Sequence, residues 1–82
     1  MRSIMSFTVE SIIIKNDKKT MERLRLRGFF SNDPQWLFNA MMVLESSKRD
    51  MIFNHKYRDL DKIEMFLVQE DIPYYRTLRG TL

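Results

Sequence analysis

The chain has 82 residues, a net charge of +3, six phenylalanines, three tyrosines, one tryptophan and seven methionines, but no cysteine. This length predicts a single domain over residues 1–82, and the lack of cysteine excludes disulfide, zinc-thiolate and thiol-nucleophile sites. No apolar run approaches the ~20 residues that a membrane-spanning helix requires, and no signal peptide is recognisable. We therefore expect a soluble intracellular protein with no membrane span.

Residues 3–14 are ambiguous between a strand and a short helix. Phe7, Val9, Ser11 and Ile13 alternate with the residues between them, and β-branched side chains dominate the second half, which favours a strand. Phe7, Ser11 and Ile14 also keep helical spacing, so a short helix is the alternative. We interpret the segment as a strand.

The next segment has the start and stop signals of a helix from Lys18 to Arg27. Asn16-Asp17 offers a turn and an N-cap, Gly28 ends the helix, and Met21 and Leu24 form a thin apolar face. The rest of the helix is largely basic. A solvated face is the ordinary explanation of such a pattern, and a surface for an anionic partner is the alternative. The residues of that candidate surface are Lys18, Lys19, Arg23, Arg25 and Arg27.

Residues 31–47 contain the only tryptophan and the densest apolar run, and we expect the fold to be organised around them as a buried helix. Asp33 is the predicted N-cap and Pro34 the first helical residue. Phe38 and Met42 lie outside the core face as an i, i+4 pair, which either the chain itself or a partner protein covers. The predicted core face comprises Trp36, Leu37, Ala40, Met41, Val43 and Leu44.

The second half of the chain contains one segment that the sequence leaves open. Residues 51–57 fit either a short strand or the first turns of a long helix, whereas residues 59–70 are helical in both interpretations. Ile72-Pro73 is expected to end that helix, and residues 74–78 suit an extended segment that pairs with the N-terminal strand. The helix is expected to turn Leu60, Ile63, Phe66 and Leu67 inward.

Together these elements predict an α+β fold in which short N-terminal and C-terminal strands pack with about three helices. A small all-α domain is the alternative. No catalytic motif is present: His55, the only histidine, has no HxxxH or HxxE partner, and two glycines cannot build a phosphate-binding loop. The sequence therefore predicts a non-enzymatic protein without a cofactor or a metal site.

A role in protein–protein interaction fits the composition best, because the chain has more aromatic residues and methionines than a core of this size obviously needs. The candidate partner-binding residues are Phe38, Met42, Tyr74 and Tyr75, although one tyrosine packing inward and one lining a sheet edge is an equally ordinary arrangement. An exposed edge strand or apolar strip would also favour a homodimer.

Nucleic-acid binding is the alternative function. The basic segment flanks Phe29 and Phe30, and basic residues beside aromatic rings can contact phosphates and stack on bases. On this interpretation the protein is a small basic nucleic-acid-binding or transcription-modulating protein.

The opening MRSIMSFTVESIIIKNDKKTMERL, the segment SNDPQWLFNAMM and the overall size give the chain a full-length resemblance to the lysis-inhibition accessory proteins of T-even phages. These are small cytoplasmic antiholins. The resemblance implies a non-enzymatic protein that binds the cytoplasmic N-terminal segment of the phage holin and delays lysis. It implies a location in the host cytoplasm, or peripherally at the inner membrane through the partner. It includes no functional motif, so the candidate binding residues are inferred from residue chemistry alone.

Overall fold

The computed structural model describes residues 9–54 and 59–79, and in them one antiparallel sheet has helices packed on one face. The strands are β1 (Val9–Ile14), β2 (Met51–Phe53) and β3 (Tyr75–Arg79), and the helices are α1 (Lys18–Arg27), α2 (Gln35–Met42) and α3 (Leu60–Gln69). A π-helical turn, Val43–Ser47, continues α2. This arrangement confirms the predicted α+β class. Residues 3–8 of the predicted N-terminal strand, residues 55–57 of the segment that the sequence left open, and residues 80–82 lie outside the described residues, so the expectations for Phe7 and His55 do too.

β1 is the central strand of the sheet, which has the order β2–β1–β3. Its register places Ile12 opposite Phe53, and Ile13 opposite both Ile52 and Tyr75. Ile12 and Phe53 are buried under the helices. Because successive side chains of a strand point to opposite faces, the Ile13 row lies on the other face of the sheet. The strand interpretation of β1 and its pairing with the C-terminal segment are confirmed, and residues 51–53 are a strand.

The predicted bounds and caps of α1 are confirmed. The Asp17 carboxylate accepts a hydrogen bond from the Thr20 N–H at 2.8 Å, which satisfies one of the free amides of the first turn. Gly28 has a φ of 77°, and its N–H donates to the Leu24 carbonyl at 3.1 Å. Met21 and Leu24 are buried as expected, and Thr20 is buried beside them.

α2 begins one residue later than the sequence predicts. Pro34 is the N-cap, and its carbonyl accepts from the Leu37 N–H at 3.0 Å. The prediction that Asp33 caps this helix is wrong, because its carboxylate is bound by Arg27 and by the Phe30 N–H. The predicted core face is confirmed: Leu37, Ala40 and Leu44 are buried, and Trp36, Met41 and Val43 pack against the core.

α3 begins at an aspartate cap and ends before the proline. The Asp59 carboxylate accepts from the Lys62 N–H at 3.0 Å. At the other end, Asp71 has a φ of 59°, its N–H donates to the Val68 carbonyl, and the Ile72 N–H donates to the Leu67 carbonyl. This is a Schellman motif. The helix ends at Gln69, three residues before the Ile72-Pro73 pair at which the sequence predicted its end.

The core lies between β1, β2 and the three helices. The Trp36 ring meets the rings of Phe53 and Phe66 edge-on, at centroid distances of 5.3 and 5.2 Å. Ile63 and Leu67 of α3 complete the buried cluster, with Leu60 and Phe66 half-buried at its border. Among the helices described, none has the length and apolar character to cross a lipid bilayer.

Candidate protein-binding surface

The two candidate partner-binding residues of α2, Phe38 and Met42, differ in how exposed they are. Phe38 is half-buried, and its ring lies 5.8 Å from the ring of Phe29 in the linker between α1 and α2. Met42 is 63 % exposed. The chain itself therefore covers the first member of the pair and leaves the second on the surface.

The linker that carries Phe29 is fixed by an arginine cluster. The Arg27 guanidinium binds the two Asp33 carboxylate oxygens at 2.9 and 2.7 Å and a Glu70 oxygen at 2.7 Å. It also lies 5.1 Å from the Phe66 ring centroid. The Arg27 hydrogen bonds, with one from the Phe30 N–H, lower the pKa of Asp33 from 3.8 to about 2. Arg27 is only 12 % exposed, so it is not part of an open basic face.

The other basic residues of α1 remain on the surface, and two of them are paired. Arg23 contacts the Asp71 carboxylate at 2.9 Å, and Arg25 contacts Glu45 at 3.1 Å. Lys18 and Lys19 are exposed and form no ion pair with any residue that the structure describes. Carboxylates of the protein itself thus neutralise three of the five cations in the candidate anionic-partner surface, counting Arg27.

Tyr74 packs inward and belongs to a hydrogen-bonded network between α3 and the sheet. Its hydroxyl donates to Glu64 at 2.6 Å, and Arg76 binds Glu64 at 2.7 Å and Glu10 at 2.9 Å. A further oxygen ligand of Arg76, from Asp61, lies at 2.9 Å. The hydrogen bond from Tyr74 and the contact with Arg76 lower the pKa of Glu64, and the same bond raises the pKa of Tyr74. The network therefore keeps Glu64 charged and Tyr74 protonated, and it braces α3 against the sheet.

Tyr75 lies on the opposite side of the molecule, on the face of the sheet away from the helices. It is 58 % exposed and forms a row across the three strands with half-buried Ile13 and exposed Ile52. The two tyrosines thus follow the ordinary arrangement, one inward and one outward. The homodimer stays a prediction, and this row is one apolar surface on which it could form.

One exposed apolar pair was missed by the sequence reasoning. Met65 and Val68 are 69 % and 62 % exposed on the outer side of α3. They line an open depression of about 610 Å³ whose wall includes Tyr74 and Glu64. Their i, i+3 spacing outside the inward face of α3 could have identified them from the sequence. Phe38 and Met42 on α2 were identified by the same kind of pattern.

Two further depressions adjoin it through shared lining residues, and we call the three together the α3 groove. Val68 and Tyr74 also line a second depression of about 420 Å³, whose other wall contains Lys19 and Arg23. Arg23 in turn lines a third depression of about 260 Å³ beside Leu26, which is 84 % exposed. We define the α3 groove by Lys19, Arg23, Leu26, Met65, Val68 and Tyr74.

Comparison with family models, with curated proteins and with solved structures gave no match to this chain. Within residues 9–54 and 59–79, no group of three or more histidine, cysteine or acidic side chains is arranged to hold a metal ion. The candidate site is therefore described by its own geometry, as an apolar groove with a basic wall.

Proposed function

We propose that the protein is a non-enzymatic phage regulator that binds the cytoplasmic N-terminal segment of the holin and delays host-cell lysis, as an antiholin does. The observation that carries the proposal is the exposure of large apolar side chains on elements whose core faces are already buried. Exposed clusters of this kind on small proteins mark interaction surfaces. The exposed residues are Leu26, Phe30, Met42, Ile52, Met65, Val68 and Tyr75.

The proposed mechanism is sequestration. A holin forms a hole by assembling in the membrane, and a cytoplasmic protein that binds its N-terminal segment lowers the concentration of segments free to take part. A short amphipathic helix would place its apolar face against apolar residues of the antiholin, as in helix-in-groove recognition. The protein then acts in the host cytoplasm, or peripherally at the inner membrane through the holin.

The alternative function, nucleic-acid binding, has weaker support from the geometry. Arg23, Arg25 and Arg27 are each paired with a carboxylate of the protein, so a phosphate would have to displace those partners. Phe29 is half-buried and packs against the Phe38 ring, which leaves less of its face for a base. Phe30 and the two exposed lysines are the remaining features that favour a nucleic-acid ligand.

A binding assay with two ligand classes separates the two functions. Purified full-length protein is titrated against a labelled peptide of the holin N-terminal segment, and against DNA and RNA, at low and high salt. We expect saturable peptide binding that changes little with salt, because apolar burial drives it, whereas binding driven by phosphate contacts falls steeply with salt. Coexpression with the holin should delay lysis. Binding to DNA or RNA without binding to the peptide would refute the proposal.

A further inference from the structure

We infer that the α3 groove is the docking site for a single amphipathic helix that carries an acidic side chain among its apolar positions. This inference rests on the proposed function, in which the helix is the holin segment, and it adds the location of the site and the charge of its occupant. Three properties of the groove lead to it: its apolar lining, its charge and the type of backbone that forms its walls.

The apolar lining has parts on two helices. Three of the most exposed apolar side chains that the structure describes line it, Met65 and Val68 on α3 and Leu26 on α1. Arg23, which lines the second and third depressions, joins the two parts. Beneath them, the second depression is floored by buried Leu67 and Ile72. A ligand that covers this surface removes apolar area from water at several points at once, which is the main source of affinity in such a contact.

The charge of the groove is set by its α1 wall. Lys19 and Arg23 are spaced i, i+4 and line the same depression. Arg23 is partly neutralised by exposed Asp71, whereas Lys19 has no ion pair within the described part of the chain. Glu64 is already engaged by Arg76 and Tyr74. The uncompensated charge inside the groove is therefore positive, and an acidic side chain on the ligand complements it.

Glu70, a third acidic group at the groove besides Glu64 and Asp71, also has its partner within the protein. Glu70 lines the third depression, and its carboxylate is bound to Arg27 at 2.7 Å. Neither Glu64 nor Glu70 is thus free to attract a basic ligand. Charge complementarity selects an acidic helix over a basic one at this site.

The backbone of the lining favours a helix over a strand as the ligand. Most of the lining comes from the helices α1 and α3, whose amides and carbonyls are largely used within each helix, and the rest comes from residues 71–74. The helical part offers no edge for strand addition. The exposed side chains that line the groove, methionine, valine and leucine, are not stacking platforms. Tyr74, also in the lining, is half-buried and its hydroxyl is bound to Glu64. Both features disfavour single-stranded nucleic acid. A helix with apolar side chains at i, i+3 or i+4 and i+7 fits both constraints.

The test measures the affinity of full-length variants for a labelled peptide of the holin N-terminal segment. The groove variant combines Met65→Gln with Val68→Gln, and its matched control combines Glu22→Gln with Lys62→Gln at exposed positions of α1 and α3 outside the groove lining. We expect the groove variant to bind at least about tenfold more weakly, as for central interface residues, and the control to stay within about twofold of wild type. All four residues are exposed, so thermal melting should show that both variants remain folded.

The charge is tested by a second matched pair. Lys19→Glu should weaken binding by roughly three- to tenfold at low salt, and the difference from wild type should shrink at high salt because salt screens exposed charges. Lys18→Glu makes the same change of charge outside the groove lining and should have little effect.

The outcomes separate this inference from the proposed function. Weaker binding in the groove variant and in Lys19→Glu, with both controls close to wild type, supports the inference. Two results overturn the inference and leave the proposed function standing: a groove variant that binds as tightly as wild type, or an equal loss of affinity in the Glu22→Gln, Lys62→Gln control. Failure of the wild-type protein to bind the peptide overturns both.

Discussion

The outer faces of α2 and α3 differ in how much of their apolar side chains the rest of the chain covers. On α2 one apolar side chain is covered, whereas on α3 both members of the apolar pair are exposed. On α2, the ring of Phe38 is packed against Phe29 from the preceding linker. On α3, Met65 and Val68 stay exposed above a depression of about 610 Å³. Helical periodicity identifies the residues that leave the core face, but the path of the rest of the chain decides which of them meet solvent.

An ion pair fixes the linker that covers Phe38 on α2. Asp33 closes the linker by accepting from the Phe30 N–H at 2.8 Å, and Arg27 binds that same carboxylate through two nitrogens. A bidentate arginine–carboxylate pair is directional, so it fixes the geometry as well as adding stability. The difference between the two helix faces therefore depends on Arg27, and the predictions below test that dependence in order of decreasing effect.

Replacing Arg27 should give the largest change. Arg27→Met leaves Asp33 and Glu70 without their cation and frees the linker that carries Phe29. We expect the free energy of unfolding to fall by about 2 kcal/mol, since removing one partner of a largely buried pair leaves the other charge uncompensated. Urea denaturation measures the loss, and binding of an apolar dye should rise as Phe38 becomes accessible.

The matched control for that prediction is Arg25→Met. Arg25 lies on the same helix and pairs with Glu45 at 3.1 Å, but both side chains are well exposed. An exposed ion pair contributes little, so the free energy of unfolding should change by less than about 0.5 kcal/mol. Equal losses in the two variants would show that burial of Arg27 does not set the effect and that the linker is held by other contacts.

The second prediction concerns acid. The pKa of Asp33 is about 2 in the folded protein, against an ordinary value of 3.8, so the folded state favours the ionised carboxylate. A group with a lowered pKa stabilises the fold above its unfolded pKa and loses that contribution as the pH falls towards its folded pKa. The stability that Asp33 supplies should therefore be intact above about pH 4 and disappear between about pH 4 and pH 2.

Urea midpoints across that pH window measure the effect. The urea midpoint of wild type should fall steeply on acidification. The midpoint of Asp33→Asn should be lower than that of wild type above pH 4 and should fall less below it, so the two curves of midpoint against pH converge. Other carboxylates titrate in both proteins, and the difference between the curves isolates Asp33. Parallel curves would mean that the Arg27–Asp33 contact does not stabilise the folded state.

Local signals predicted a large part of the fold. Asp17 and Gly28 mark the ends of α1 because caps depend on a few adjacent residues, and β-branched alternation identified β1. Asp33 shows where local reasoning fails. The sequence Asp33-Pro34 is typical of an N-cap. In the structure, however, the Asp33 carboxylate is bound by Arg27, the last residue of α1, and does not cap α2.

The candidate site could be predicted less well than the fold. Met65 and Val68 could be assigned to the outer face of α3 from spacing alone. That they form a groove depends on Tyr74 and on Lys19, which only the tertiary structure brings beside them. The sequence thus identifies apolar side chains outside the core, whereas their long-range neighbours decide whether these form a site.

The last prediction compares the two helix faces directly and has the smallest expected effect. Phe38→Ala removes a half-buried ring that packs against Phe29, so the free energy of unfolding should fall by roughly 1–2 kcal/mol, below the cost at a fully buried site. Met65→Ala removes a side chain that is 69 % exposed and should cost less than about 0.5 kcal/mol. Peptide binding should show the reverse order, with Met65→Ala weakened and Phe38→Ala unchanged per folded molecule. A Met65→Ala variant as unstable as Phe38→Ala would place Met65 in the packed interior, and the α3 groove would lose its role as an open surface.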